Sequence, residues 1–148
     1  MRVTESQRLH PALGLLTKIC TIPIELKDYK DKRVLIEKGT PVIIPVYPIH
    51  RNAEYYPNPT EFNPERFSVQ NGGIKQYKDK GVYLAFGDGP RVCLGIKFAL
   101  LQVKSAIIAI LEKFELSLNE KSKDGFVFDP EGFLLASENG LWVDFKPL

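Results

Sequence analysis

Cysteine and histidine are scarce in this chain, and their scarcity excludes several kinds of site. Two cysteines, Cys20 and Cys93, and two histidines, His10 and His50, occur among 148 residues. Two isolated cysteines do not make a disulfide framework, and the chain lacks the Cys-x-x-Cys pair of a structural zinc site. The low cysteine content suits a reducing compartment.

Strong net charge and long apolar runs are also missing. The formal net charge is +2, which is too small to indicate nucleic-acid binding. No apolar run is long enough to span a bilayer, and the first ten residues, MRVTESQRLH, contain no apolar core of a signal peptide. The hydrophobic fraction of 44% and the charged fraction of 26% are ordinary for a soluble domain. The chain is long enough for one domain with a modest core.

The first half of the chain predicts a helix, several short strands and a long coil. The helix ends at Pro11 and carries Glu5 and Arg8 on one face. The segments LLTKIC, TIPIEL and RVLIEKGTPVIIPVY predict short strands of a small sheet. From residue 48 to residue 84, prolines forbid a long helix or a central strand. An ordered coil of this length tends to carry function.

The second half contains the clearest periodic pattern. Apolar residues recur at helical spacing between residues 94 and 114, namely Ile96, Leu100, Val103, Ile107, Leu111 and Phe114. This spacing predicts a helix with one buried face. The segments FELSLN, GFVFDP and GLWVDFK then predict short closing strands with a turn at Asn139–Gly140. The predicted fold class is α+β.

The stretch FGDGPRVCLG, residues 86–95, surrounds Cys93 with glycines, an arginine and a proline. Glycines permit tight turns and a close approach of the backbone to a flat or bulky group. A helix that begins at the cysteine favours its thiolate and lowers the thiol pKa, and Arg91 can bond a nearby anion. These features together indicate a haem held by a cysteine thiolate.

Other interpretations of this stretch are weaker or stay open. A lone cysteine is most often an inert buried side chain. A dinucleotide loop needs a third glycine where Val92 stands, and the Gly-Lys-Ser/Thr of a phosphate loop is absent. A cysteine nucleophile needs a positioned base, and neither histidine lies in a recognisable active-site motif. A Cys20–Cys93 disulfide is compatible with the sequence.

The same stretch resembles the haem-binding motif of the cytochromes P-450, Phe-x-x-Gly-x-Arg-x-Cys-x-Gly. Its five fixed positions are all filled, by Phe86, Gly89, Arg91, Cys93 and Gly95. Upstream, ESQR at residues 5–8 resembles the family's Glu-x-x-Arg, and PERF at residues 64–67 resembles its meander motif. Three motifs in the family's order make the resemblance specific. It covers residues 1–148, as one partial domain that matches only the C-terminal part of a typical member.

The resemblance implies an architecture and a set of haem contacts. The parts are the end of the K helix, a small β-sheet, the meander, the cysteine-ligand loop, the long L helix and C-terminal β-hairpins. Cys93 would be the axial thiolate ligand to the iron of haem b, favouring O–O cleavage, with Phe86 packed near its sulfur. Arg91, His50 and Lys18 would contact the propionates. Lys18 stands where the family more often has an arginine, so the two parallel hydrogen bonds that a guanidinium can donate to a carboxylate are lost.

The resemblance also implies a structural triad and a substrate pocket. Glu5, Arg8 and Arg66 would tie the first helix to the meander, whereas the residues alone favour a simple surface pair between Glu5 and Arg8. Two apolar segments, ALGLL and GFLL, would contribute the pocket residues Ala12, Leu13, Leu16, Phe133 and Leu134.

The implied activity is that of a microsomal-type monooxygenase. It inserts one atom of O2 into an apolar small molecule, and its electrons come from NADPH only indirectly, through an NADPH-cytochrome reductase. No nucleic acid is involved. The parent protein would be held at the cytosolic face of the endoplasmic reticulum membrane by an N-terminal anchor. A basic face for the reductase could be formed by Lys75, Lys78, Lys80, Lys97 and Lys104, although these lysines also fit a merely solvated surface.

The 148 residues are expected to be a C-terminal fragment. They lack the anchor, the oxygen-activating I helix and most of the pocket, so the chain alone should lack monooxygenase activity and should expose apolar surface. The alternative function is a non-catalytic haem-binding or structural module from a degenerate gene.

Overall fold

A computed structural model describes residues 1–122, 125 and 127–148, and within them the chain forms four α-helices, six short strands and four short 3₁₀ turns. The helices are α1 (Arg2–Leu9), α2 (Val46–His50), α3 (Lys75–Asp79) and α4 (Ile96–Leu111). The strands are β1 (Leu16–Ile19), β2 (Ile24–Lys27), β3 (Arg33–Ile36), β4 (Pro41–Ile44), β5 (Phe114–Leu118) and β6 (Val143–Pro147). This mixture of helices and small antiparallel sheets confirms the α+β class.

The first four strands form two ladders, so the prediction of one small sheet is wrong. Strand β1 pairs antiparallel with β4, with Leu16 opposite Ile44, and β2 pairs antiparallel with β3, with Ile24 opposite Ile36. In the sequence, the β2–β3 hairpin lies between β1 and β4. Pro23 separates β1 from β2 and has no N–H to donate, which explains why the ladder is interrupted there.

The C-terminal strands are fewer than predicted. Strand β5 pairs antiparallel with β6, with Leu116 opposite Phe145. The predicted strand over 125–130 contributes only an isolated bridge between Phe128 and Ser137, and position 126 lies outside the described residues. The turn at Asn139–Gly140 is present, with Gly140 at a φ of +72°.

The core lies among α1, α2 and the segment from residue 56 to residue 84. Tyr56, Phe67, Val82 and Tyr83 form its buried cluster. The rings of Tyr56 and Tyr77 are stacked with their centroids 4.8 Å apart. No helix within residues 48–84 is longer than five residues, as the prolines predict, but the predicted coil is interrupted by short helical turns. This packing fixes the segment that leads into the loop around Cys93.

Helix α4 forms where the periodicity predicts it, but the predicted buried face is wrong. Val103, Ile107 and Leu111 on that face are exposed, and an open cleft of about 370 Å³ separates them from α1. Phe98 and Leu101, which lie off the predicted face, are 70% and 65% exposed. Among the described helices, none is both long and apolar enough to cross a membrane.

Candidate functional site

A buried ion network joins α1 to the coil that follows α2. Glu5 and Arg8 lie one turn apart on α1, and both side chains are completely buried. The Nε and Nη2 atoms of Arg8 donate to the two Glu5 carboxylate oxygens, each at 2.8 Å. Arg66 Nε donates to Glu5 Oε1 at 3.0 Å. The structure therefore brings the three predicted triad residues together, and full burial excludes the simple surface pair.

The two guanidinium groups also bind backbone carbonyls of the coil. Arg8 Nη1 donates to the carbonyls of His50 and Pro59, each at 2.7 Å, and Arg66 Nη1 donates to the carbonyl of Pro57 at 3.0 Å. Burial raises the pKa of Glu5, but hydrogen bonds from Arg8, the Asn63 N–H and Arg66 outweigh it and lower the pKa below its ordinary value. Glu5 is therefore ionised at neutral pH and paired with two cations.

The loop around Cys93 is closed by backbone hydrogen bonds. The Gly87 N–H donates to the Leu84 carbonyl and the Cys93 N–H donates to the Phe86 carbonyl, each at 2.9 Å. Gly87 and Gly89 adopt φ values of +75° and +74°, which strain any residue with a side chain. Helix α4 begins at Ile96, so Cys93 precedes the first helical turn and does not lie in it, contrary to the prediction.

The structure removes two alternative interpretations of Cys93. Its side chain is exposed, which excludes an inert buried cysteine. Both Cys20 and Cys93 are free thiols, which excludes the disulfide between them. The Cys20 sulfur instead donates to the Ile22 carbonyl at 3.0 Å.

Cys93 lines a cleft of about 390 Å³ that three separate segments of the chain build. The lining residues are Ala12, Leu13, Leu16, Lys18, Ala85, Phe86, Gly87, Arg91, Cys93 and Leu134. The structure thus brings together every residue predicted for the haem site and the pocket except His50 and Phe133. The GFLL segment is held in place because the Leu135 N–H donates to the Ala12 carbonyl at 2.9 Å.

The chemistry of this lining suits a haem. The walls are leucines, alanines and Phe86, which suit an apolar macrocycle. Cys93 is the one lining residue with a thiol, a soft ligand for iron. Among the residues that the structure describes, Lys18 and Arg91 are the two lining cations, and two cations match the two carboxylates of a haem.

The sequence analysis did not predict two of the lining residues, and Phe133 lies outside this cleft. Ala85 and Gly87 line the cleft on either side of Phe86. Because both are next to the predicted aromatic residue in the chain, the sequence could have indicated them. Phe133 is 86% exposed and lines a neighbouring cleft of about 260 Å³ with Leu13 and Gly14. Leu13 borders both clefts.

The prediction that His50 contacts a propionate is wrong. His50 is fully buried, outside the cleft that contains Cys93. Its Nδ1 lies 3.1 Å from the Arg8 carbonyl, and the Leu84 N–H donates to its Nε2 at 2.8 Å. Both ring nitrogens are thus used inside the protein. Burial lowers the pKa of His50 to about 4, so the ring is neutral.

Comparison with known proteins decides the family. The family model described as Cytochrome P450 matches residues 1–143. The chain belongs to the cytochrome P450 family. It is 41% identical over 147 residues to probable cytochrome P450 28d2 of Drosophila melanogaster, covering 99% of this chain and 29% of that protein. It is 45% identical over 139 residues to cytochrome P450 3A18 of Rattus norvegicus, covering 89% of this chain and 26% of that protein.

A third cytochrome P450 relative carries a functional name. The chain is 39% identical over 140 residues to lithocholate 6-beta-hydroxylase of Mesocricetus auratus, covering 94% of this chain and 26% of that protein. The chain therefore spans less than a third of the length of the curated P450 relatives that it matches.

Proposed function

We propose that this chain is the haem-binding portion of a monooxygenase and that Cys93 is the axial thiolate ligand of haem b. The observation that carries the proposal is the position of Cys93, exposed in an apolar cleft that Lys18 and Arg91 also line. Membership of the cytochrome P450 family supports the same assignment. Bound haem supplies an iron that activates O2 for the insertion of one oxygen atom into an organic substrate.

Different residues of the cleft would bind different parts of the haem. Arg91 would bind one propionate through its planar guanidinium, and Lys18 would bind the other as a point charge. Phe86 lines the same cleft as Cys93, and its carbonyl accepts the Cys93 N–H, which fixes the backbone of the ligand. The loop that carries Cys93 would thus hold the haem from one side.

The substrate is proposed to be an apolar small molecule. The leucines that line the cleft, Leu13, Leu16 and Leu134, offer no charged group to a substrate. Phe133 extends the apolar surface into the neighbouring cleft. The name of the hamster relative, a hydroxylase, supports the reaction class.

The 148 residues alone are proposed to bind haem without turning over substrate. The described cleft lining contains no carboxylate and no hydroxyl that could deliver a proton to bound oxygen. Substrate oxidation by the purified chain with NADPH and a reductase contradicts this. The non-catalytic module from a degenerate gene would bind haem equally well, and a gene sequence that encodes an acid–alcohol pair upstream argues against it.

The proposed redox partner is an NADPH-cytochrome reductase at the cytosolic face of the endoplasmic reticulum membrane. The five lysines of the predicted basic face are exposed, although Lys75 is paired with Asp79. The substitutions Lys78→Glu and Lys97→Glu in the full-length protein should slow its reduction by the reductase and weaken the salt dependence of that rate. The reason is that an acidic partner is no longer attracted to the lysines. An unchanged rate indicates a merely solvated surface.

The ligand assignment is tested by spectroscopy on the haem-reconstituted chain. Reduction under carbon monoxide should give the red-shifted absorption band of thiolate-ligated haem. Cys93→Ala should abolish that band, and Cys20→Ala should retain it, because Cys20 lies outside the cleft. A band that survives in Cys93→Ala contradicts the proposal.

A further inference from the structure

The segment that leads into the Cys93 loop is anchored at three successive residues. The Tyr56 hydroxyl donates to the Val82 carbonyl at 2.9 Å. The Tyr83 hydroxyl lies 3.3 Å from the Thr4 carbonyl of α1. The Leu84 N–H donates to His50 Nε2 at 2.8 Å. Leu84 is also the residue whose carbonyl closes the first turn of the loop, with the Gly87 N–H.

The hydrogen bonds of His50 fix its protonation. Since the Leu84 N–H donates to Nε2, that nitrogen carries a lone pair and no proton. The neutral ring then carries its proton on Nδ1, which donates to the Arg8 carbonyl at 3.1 Å. The ring also stacks on Tyr83, with centroids 5.5 Å apart and planes 19° from parallel. One side chain thus joins α1 to the backbone amide of Leu84, two residues before the loop begins.

We propose that His50 is a positioning residue for the haem ligand: its ring bridges the Arg8 carbonyl and the Leu84 N–H and so sets where the loop that carries Cys93 begins. The proposal rests on the proposed role of Cys93. The connection runs from Arg8 through His50 to Leu84, and from the turn at Leu84 to Phe86, whose carbonyl holds the Cys93 N–H. Glu5 holds Arg8 in position through two hydrogen bonds. Arg8 therefore belongs both to the ion network and to the connection that leads to the Cys93 loop.

An imidazole is suited to this bridge because it donates at one nitrogen and accepts at the other in a fixed geometry. Asparagine places its amide near the position of Nδ1, and glutamine places its amide near the position of Nε2. His50→Asn therefore keeps the bond to the Arg8 carbonyl and leaves the buried Leu84 N–H without an acceptor. His50→Gln keeps the acceptor for Leu84 and leaves α1 without the donor.

The first test needs neither haem nor a variant. Nitrogen-15 NMR of the histidine rings in the 148-residue chain should show His50 as a neutral ring protonated at Nδ1 at pH 7. His10, the other histidine of the chain, serves as the internal comparison because it is not part of this bridge. A His50 ring protonated at Nε2, or a charged ring, overturns the proposal.

The second test compares the two variants in the haem-loaded chain. His50→Asn should bind haem about tenfold more weakly, because a buried N–H has lost its acceptor, and should convert part of the thiolate-type carbon monoxide band to a non-thiolate band. His50→Gln should stay closer to the wild type on both measures. His10→Gln is the control and should change neither. Equal losses in the two His50 variants, or no loss in a folded His50→Asn, overturn the positioning role.

Amide hydrogen exchange separates this inference from the proposed function. If the wild-type chain shows no thiolate-ligated haem, the assignment of Cys93 fails whatever the variants do. Exchange in the haem-free chain still tests the bridge: the amides of Leu84, Gly87 and Cys93 should exchange faster in His50→Asn than in His50→Gln. Equal protection in both variants contradicts the role of His50.

Discussion

Helices α1 and α4 reverse the usual distribution of charged and apolar side chains. On α1, Glu5 and Arg8 are completely buried, although charged residues are almost never fully buried unless they are paired. On α4, the apolar residues Phe98, Leu101 and Ile108 are more than half exposed, although a strongly apolar helix is usually buried. Residue polarity alone therefore predicts the wrong environment for both helices.

The difference lies in what each helix has to pack against. The coil over residues 57–63 offers backbone carbonyls to Arg8 and Arg66 and the Asn63 N–H to Glu5, so the charges of α1 lose their water and gain partners. Helix α4 packs mainly against β5, its neighbour in the chain, and an open cleft separates it from α1. Burial on α1 depends on partners that the chain itself supplies.

The strongest test of this contrast removes the charge at the centre of the network. Glu5→Gln should lower the free energy of unfolding by roughly 3–5 kcal/mol, because two buried guanidinium groups lose their counter-ion. The measurement is urea denaturation followed by circular dichroism.

The matched control is the same substitution in an exposed pair. Glu25 pairs with Arg33 on the surface of the β2–β3 hairpin, with both side chains at least half exposed. Glu25→Gln should cost at most about 1 kcal/mol. Similar losses in the two variants contradict the difference between buried and exposed pairs.

A smaller effect is expected from the pH dependence of the same core. The pKa of His50 is about 4 in the folded chain and about 6.5 when unfolded, so the unfolded state binds an extra proton between these values. The free energy of unfolding should therefore fall as the pH drops from 6.5 towards 4, by on the order of 3 kcal/mol. Glu5 adds its own loss only as the pH falls below about 4.5, its ordinary pKa.

The comparison that isolates His50 uses a His10→Gln background. Burial, with the charges of Arg51 and Arg8, also lowers the pKa of His10, which would otherwise add to the same window. In that background, His50→Gln should remove most of the loss of stability between pH 6.5 and pH 4.5. A loss that stays the same in both chains contradicts the assignment to His50.

The sequence predicted the site better than it predicted burial. Three short motifs, at residues 5–8, 64–67 and 86–95, were sufficient to name Glu5, Arg66 and Cys93, because each motif contains residue types that few other structures need together. The helical period likewise located α4. Neither pattern carries information about which partners a side chain meets, so the buried face of α4 and the single sheet were predicted wrongly.

His50 shows the same limit at a single residue. The family resemblance identified His50 as a residue of interest but not the direction of its ring. Its two partners, Arg8 and Leu84, lie 42 and 34 residues away, and they converge only when α1 packs against the Val82–Leu84 segment. A contact set by tertiary packing of this kind is not visible in local sequence.

The smallest expected change in stability comes from the exposed side of α4. Leu101→Lys combined with Ile108→Lys should change the free energy of unfolding by no more than about 0.5 kcal/mol for each substitution, because both side chains already contact water. The same pair should reduce self-association, measured by sedimentation velocity at several concentrations, because an exposed apolar stripe favours aggregation. Leu9→Lys is the matched control: Leu9 is 5% exposed, and a charge there should unfold the α1 side of the core. Strong destabilisation by the α4 pair would show that α4 is packed in solution, and the contrast with α1 would then be lost.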